Sequence, residues 1–127
     1  MFMKYEVYVE SQFSSAHYLK MYKGKCENLH GHNWKVGVYV SSTQLNRLGM
    51  VIDFSKLKKI LKKVLDTLDH KLLNKEVKYF KNFQPTAENI ARYIHENVKK
   101  FLKRYKNIDN IKVIVWETPN QLASYEE

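Results

Sequence analysis

The stretch HGHNWKVGVYV, residues 30–40, decides the fold of this chain. Side chains alternate between the two faces of a β-strand, and every second residue after the two histidines is apolar. The apolar residues on this parity are Trp34, Val36, Val38 and Val40. The pattern predicts a strand with one buried face, and His30 and His32 begin that face at one end of the strand.

Three further strands are predicted: residues 5–13, where apolar and polar residues alternate, the strongly apolar run 111–117, and residues 122–125. Apolar residues at helical spacing predict two helices, which begin after Asp53 and Thr86, both typical N-cap residues. The order strand, strand, helix, helix, strand, strand is typical of an α+β fold rather than of strictly alternating βα units.

The simplest fold of this order is a four-stranded antiparallel sheet with both helices packed on one face. A chain of 127 residues is long enough for one core, so we expect a single domain over residues 1–127. The opposite face of the sheet still carries valine and tyrosine side chains. We therefore expect that face to be covered by self-assembly into a homo-oligomer.

Composition excludes some functional classes. No apolar run approaches the roughly 18 residues that a membrane span needs, and the N-terminus shows no secretory signal. The single cysteine cannot form an internal disulfide, which favours a reducing cytoplasm. The net charge of +9 fits solvated helix faces and would concentrate a polyanionic substrate such as a triphosphate. Nucleic-acid binding is disfavoured, because the signatures of RNA-binding sheets and zinc fingers are missing.

Three histidines form the first candidate site. His30 and His32 point to one side of their strand, and His17 follows the first predicted strand. Three imidazoles with no obvious fourth protein ligand match a catalytic zinc site, which keeps one position open. Zinc is favoured, with iron and nickel as alternatives. Cys26 lies nearby in sequence, either as the missing ligand or as a nucleophile or base beside the metal.

Two further positions carry candidate chemistry. The Asp69-His70 pair at the end of the first helix is either a general acid/base, with the carboxylate orienting the imidazole, or a surface dipeptide. Glu117 ends the most apolar strand, where it either lies in water or binds a guanidine-like edge through a bidentate contact. His95, in the second helix, is predicted to be an ordinary surface residue.

Six short motifs are spread in order over nearly the whole chain. They are FSSAH at 13–17, CENLHGH at 26–32, VIDF at 51–54, LDHKLLN at 68–74, PTAEN at 85–89 and VWET at 115–118. In number and order these motifs resemble the 6-pyruvoyltetrahydropterin synthase / 6-carboxytetrahydropterin synthase family. The resemblance implies a ββααββ tunnelling fold, whose subunits join their sheets around a central barrel and commonly form hexamers of two trimers.

The resemblance also implies a site and its chemistry. Zinc would be held by the three histidines, and the substrate would be dihydroneopterin triphosphate. Cys26 would be the general base on the substrate side chain, Asp69 and His70 would form the partner proton relay, and Glu117 would grip the pterin ring. The active site would lie between subunits, so that Cys26 and His70 need not come from one chain.

The product is left open by the motifs. Three residues between Cys26 and His30 resemble the bacterial enzymes that make 6-carboxytetrahydropterin for queuosine. Glu27, followed by two residues and His-Gly-His, resembles the variant that cleaves the side chain to 6-hydroxymethyldihydropterin for folate. This chain combines both residues, unless Glu27 is an ordinary loop residue. Formation of 6-pyruvoyltetrahydropterin is also open, and so is a non-catalytic role as a pterin- or nucleotide-binding subunit.

Overall fold

The computed structural model describes residues 3–21 and 28–127. The elements in these ranges are β1 (Tyr5–His17), β2 (His30–Ser42), α1 (Phe54–Asp66), β3 (Lys71–Leu72), α2 (Leu73–Glu76), α3 (Ala87–Leu102), β4 (Asn110–Thr118) and β5 (Gln121–Glu126). A short 3₁₀ turn, Lys78–Lys81, joins α2 to the segment before α3. Among the described residues, no helix combines the length and the apolar character that a membrane crossing requires.

The described residues form one five-stranded sheet in the order β3-β1-β2-β4-β5. The prediction of four antiparallel strands was wrong, because β3 adds a fifth strand that runs parallel to β1. After α1 the chain turns at His70, whose φ is 56°. The backbone N–H of His70 donates to the Ser14 carbonyl oxygen at 2.6 Å. A strand of two residues is too short to leave an alternating pattern in the sequence.

Strands β1 and β2 pair in one unbroken antiparallel register, from Tyr5 opposite Ser42 to His17 opposite His30. The first strand therefore runs to His17 and not to residue 13 as predicted. Its last residues are polar, yet they remain extended because the β1–β2 ladder continues through Ser15, which lies opposite His32. This register brings the histidines of both strands to the same end of the sheet.

The helices cover one face of the sheet. Helix α1 packs against β1, α3 packs against β4 and β5, and the two helices contact each other. Both predicted N-caps are confirmed, since the Asp53 side chain accepts from the Ser55 N–H and the Thr86 side chain accepts from the Asn89 N–H. The alternate residues of β2 from Trp34 onward are fully buried, as their parity predicts.

His95 corrects a prediction, because it is buried and not a surface residue. Helix α3 contacts two strands, so its buried stripe is wide enough to include the position after Ile94. The His95 Nε2 lies 3.1 Å from the Ile111 carbonyl oxygen, and its ring packs edge-on against Tyr125 at 4.8 Å. A carbonyl oxygen can only accept, so Nε2–H donates and the buried polar ring is satisfied.

Candidate metal centre

Three imidazoles lie together where β1 ends and β2 begins. The ring centroids of His17 and His30 are 4.6 Å apart, those of His17 and His32 are 5.4 Å apart, and those of His30 and His32 are 4.8 Å apart. The pairing of His17 with His30 across the ladder brings these two rings together. His30 and His32 share one face of β2 because side chains alternate along a strand, so position 31 faces the other way.

Backbone carbonyl oxygens select the tautomer of two of these rings. The His17 Nδ1 lies 2.7 Å from the Pro85 carbonyl oxygen, and the His30 Nδ1 lies 2.9 Å from the Asn28 carbonyl oxygen. Because a carbonyl oxygen only accepts, each Nδ1 carries the proton and each Nε2 presents a lone pair. This is the arrangement in which metal-binding histidines are usually held.

Two ring nitrogens are buried without a hydrogen bond. Among the described residues, the Nε2 atoms of His17 and His32 are inaccessible and have no hydrogen-bond partner. Leaving a buried acceptor unpaired costs on the order of 1–3 kcal/mol. A bound cation would use both lone pairs and remove this cost, so the residues present fit a metal ion.

Glu117 belongs to the same cluster. One of its carboxylate oxygens, Oε2, lies 3.5 Å from the His17 Nε2 and 3.8 Å from the His32 Nε2. One ligand atom from each of these residues and from His30 lies within 4.8 Å of all the others. The donor set is three imidazole nitrogens and one carboxylate oxygen, which suits a divalent transition metal such as zinc.

The sequence analysis did not place Glu117 in this cluster, although a signal for it was present. Alternate residues of β4 from Ile111 to Val115 are buried, and Glu117 continues their parity. The last β2–β4 pair is Lys35 opposite Trp116, so Glu117 follows at the end of β2 that carries the histidines. Pairing β4 with β2 would have placed the carboxylate beside the imidazoles.

Burial lowers the pKa of His17 below its ordinary value of 6.5. The neighbouring His30 and His32 lower it as well, whereas the Pro85 carbonyl and Glu117 act in the opposite direction. Imidazole binds a metal only when it is neutral. The depressed pKa therefore keeps His17 ready to bind a metal at a pH where an ordinary histidine is already charged.

Loss of His17 should flatten the pH dependence of folding stability. The unfolded chain binds a proton on this ring at about the ordinary value of 6.5, but the metal-free folded chain does so only at lower pH. The stabilising contribution is thus present above 6.5 and is lost as the pH falls toward the folded pKa. We measure the free energy of unfolding by urea at about pH 7.5 and at about pH 5.5. We expect it to fall less between these two pH values for His17→Asn than for the parent protein. Equal losses would contradict this account.

The Asp69-His70 pair lies against β1 at Ser14. The Asp69 Oδ2 is 2.9 Å from the His70 Nδ1, and the Asp69 Oδ1 accepts from the Ser14 N–H at 2.8 Å. The Ser14 N–H, and then His70, hold the pKa of the Asp69 carboxyl below its usual range. The ionised carboxylate therefore orients the His70 ring, which is largely exposed.

A cavity lies beside His70 and the end of β2 that carries the histidines. It has a volume of about 520 Å³, and its lining includes both His32 and His70. Of the metal cluster, His32 alone lines this cavity, and its Nε2 is inaccessible, so the cavity does not open directly on the metal-binding atoms. Cys26 and Glu27, the other two predicted catalytic residues, lie outside the described residues.

The model of the family described as 6-pyruvoyl tetrahydropterin synthase matches residues 6–127. This chain belongs to that family. Its relatives in the family include the 6-pyruvoyl tetrahydrobiopterin synthase of Drosophila melanogaster, which is 39% identical over 117 residues, covering 90% of this chain and 68% of the relative. They also include the 6-carboxy-5,6,7,8-tetrahydropterin synthase of Haemophilus influenzae, which is 33% identical over 144 residues, covering 97% of this chain and 99% of the relative.

A solved structure supports the fold assignment. The 6-pyruvoyl tetrahydropterin synthase of Caenorhabditis elegans superposes with a TM-score of 0.82 at 33% identity, covering 98% of this chain and 96% of that chain. The α+β fold predicted from the order of elements is thereby confirmed. The two relatives named above differ in the product that their names give, so family membership leaves the product of this chain open.

Proposed function

We propose that this chain is a zinc-dependent lyase that converts 7,8-dihydroneopterin triphosphate to 6-carboxytetrahydropterin. One observation carries the proposal: three imidazoles and a carboxylate form a cluster that could hold a metal ion, in a chain that also has the oriented Asp69-His70 pair. A protein that only binds pterin has no need of a proton-transfer pair beside its metal. The carboxy product is supported by the three-residue spacing between Cys26 and His30, and by the near-complete coverage of the Haemophilus relative.

Each side chain has a distinct task in this reaction. His17, His30 and His32 hold the ion, with the first two oriented by carbonyl oxygens. Zinc held by these residues would act as a Lewis acid toward oxygens of the substrate side chain. Glu117 accepts two N–H bonds from the guanidine-like edge of the pterin, which is a bidentate and charge-assisted contact.

Proton transfer is assigned to two groups. The thiolate of Cys26 removes a proton from the substrate side chain, since a nearby cation lowers a thiol pKa. His70, whose Nδ1 lies 2.9 Å from the Asp69 Oδ2, is the second group that exchanges a proton with the substrate. Two groups with separate environments allow one to act as base while the other acts as acid.

Assembly and location complete the proposal. We expect one domain over residues 1–127, forming a cytoplasmic homohexamer of two trimers with active sites between subunits. Support comes from the sheet face opposite the helices, where the tilted rings of Tyr8 and Tyr39 have centroids 4.6 Å apart and Lys35 lies over the Trp116 ring. Such an aromatic face is typical of a surface that a further copy covers.

Mass spectrometry of the products tests the function. Zinc-loaded protein is incubated with dihydroneopterin triphosphate, and the pterins formed are identified. We expect 6-carboxytetrahydropterin. A 6-hydroxymethyldihydropterin peak would favour the folate route, and a 6-pyruvoyl product would favour the activity named for the Drosophila relative. No turnover by zinc-replete, assembled protein would contradict the catalytic proposal and favour a pterin-binding subunit.

Cys26 and Glu27 are neighbours and provide a matched pair of variants. Cys26→Ala should abolish turnover while the zinc content stays at the parent level, because the thiol acts on substrate and not as a ligand. Glu27→Ala should leave the carboxy product intact and suppress any hydroxymethyl product. Zinc content by atomic absorption and product ratios check both results. Loss of zinc from the Cys26→Ala variant would indicate that Cys26 is a metal ligand instead.

A further inference from the structure

Glu117 occupies an irregular position at the end of β4. On one side β4 pairs with β5 through Trp116 opposite Leu122 and Thr118 opposite Gln121, so β4 has one extra residue between these pairs. On the other side the β2–β4 ladder ends at Lys35 opposite Trp116. Glu117 is thus the extra residue of a β-bulge, a feature that re-aims a side chain and is common beside active sites.

Two environments meet at this carboxylate. One is the histidine cluster, with its Oε2 atom 3.5 Å from the His17 Nε2. The other is a second cavity of about 630 Å³, whose lining includes Glu117, Glu88 and Gln121. The side chain of Glu117 is 29% exposed, so it is accessible from this cavity while it contacts the cluster.

These two environments make competing demands on one group. A carboxylate beside three neutral imidazoles completes a four-ligand set for a zinc-like ion. The bidentate contact to a pterin, which rests on the function proposed above, uses both oxygens of the same carboxylate. A closed four-ligand set is also the arrangement of structural sites, whereas a catalytic site keeps one position for substrate.

We propose that Glu117 is an exchangeable fourth metal ligand. It ligates the ion while the site holds no substrate, and it leaves the ion when a pterin edge binds in the neighbouring cavity. Pterin binding thereby opens the coordination position that the substrate side chain needs. Coupling between two ligands is reciprocal, so pterin and metal each weaken the binding of the other when the pterin carries no side chain to reach the metal.

Metal ligation by Glu117 is tested without any pterin. Cobalt(II) replaces zinc, its visible absorption reports the ligand set, and its Kd is measured against a competing chelator. For Glu117→Gln we expect shifted bands and a Kd raised by at least about 10-fold, the lower range seen when even an outer-shell partner is lost. Glu88→Gln is the matched control, since Glu88 lines the same cavity but is outside the metal cluster. It should keep the parent spectrum and Kd, and parent values for Glu117→Gln would overturn the proposal.

The displacement of Glu117 from the metal is tested with unsubstituted pterin as the probe. Binding of the pterin is followed separately by its fluorescence. We expect pterin to shift the cobalt bands of the parent protein toward those of Glu117→Gln and to raise the cobalt Kd, with no such effect in the variant. Pterin that binds without changing the parent spectrum overturns the exchange alone. Failure of pterin to bind at all overturns the exchange and the proposed function together, while the cobalt data on ligation stand by themselves.

Discussion

His17→Asn is expected to lower zinc affinity by roughly 100-fold or more, which exceeds the 10–100-fold cost of losing an outer-shell partner. The substitution removes the Nε2 that faces the cluster but keeps an N–H close to the position of Nδ1. The hydrogen bond to the Pro85 carbonyl, 2.7 Å in the parent protein, can therefore be retained. A large effect is expected because the remaining ligands can no longer surround the ion.

Chelator competition measures the zinc Kd of this variant, and circular dichroism verifies its fold. The control is His95→Gln, which changes another buried histidine that lies in α3 and binds the Ile111 carbonyl instead. The control should bind zinc as the parent protein does. Unchanged affinity in His17→Asn would remove His17 from the ligand set, whereas equal losses in both variants would indicate a general effect of losing a buried imidazole.

His70→Gly is expected to lower kcat by about 10²–10⁴-fold, the usual contribution of one general acid/base. Glycine suits this position because the backbone φ of His70 is 56°, a conformation that glycine adopts without strain. The zinc content should not change, since His70 is not part of the metal cluster. The loss should therefore appear in the chemical step and not in metal binding.

Chemical rescue separates a catalytic loss from a folding defect. The missing side chain leaves space in the cavity of about 520 Å³ that His70 lines. Added imidazole should restore part of the activity of His70→Gly and should leave the parent rate unchanged. A variant with full activity would show that the Asp69-His70 pair is only a surface dipeptide. A slow variant that imidazole does not rescue, with a lowered Tm, would indicate a structural role.

Much of the scaffold follows from local patterns in the sequence. Alternation from Trp34 to Val40 identifies the central strand and its buried face, and Asp53 and Thr86 identify both long helices. Alternation also places His30 and His32 on one side. These features could be predicted because each depends on spacing within a single element.

The features that the sequence did not reveal depend on contacts between elements. Strand β3 exists because the turn at His70 returns the chain to β1, which no local pattern records. His95 is buried because α3 contacts two strands at once. Glu117 joins the histidines only through the pairing of β4 with β2.

The unbroken pairing of β1 with β2 has a consequence for how members of this fold can diverge. An insertion of one residue inside either strand would turn every side chain beyond it to the opposite face, and would separate His17 from His30. In sequence, Cys26 and Glu27 lie between His17 and His30 and belong to neither strand of this ladder. Substitutions at Cys26 and Glu27 therefore leave the register that pairs His17 with His30 unchanged.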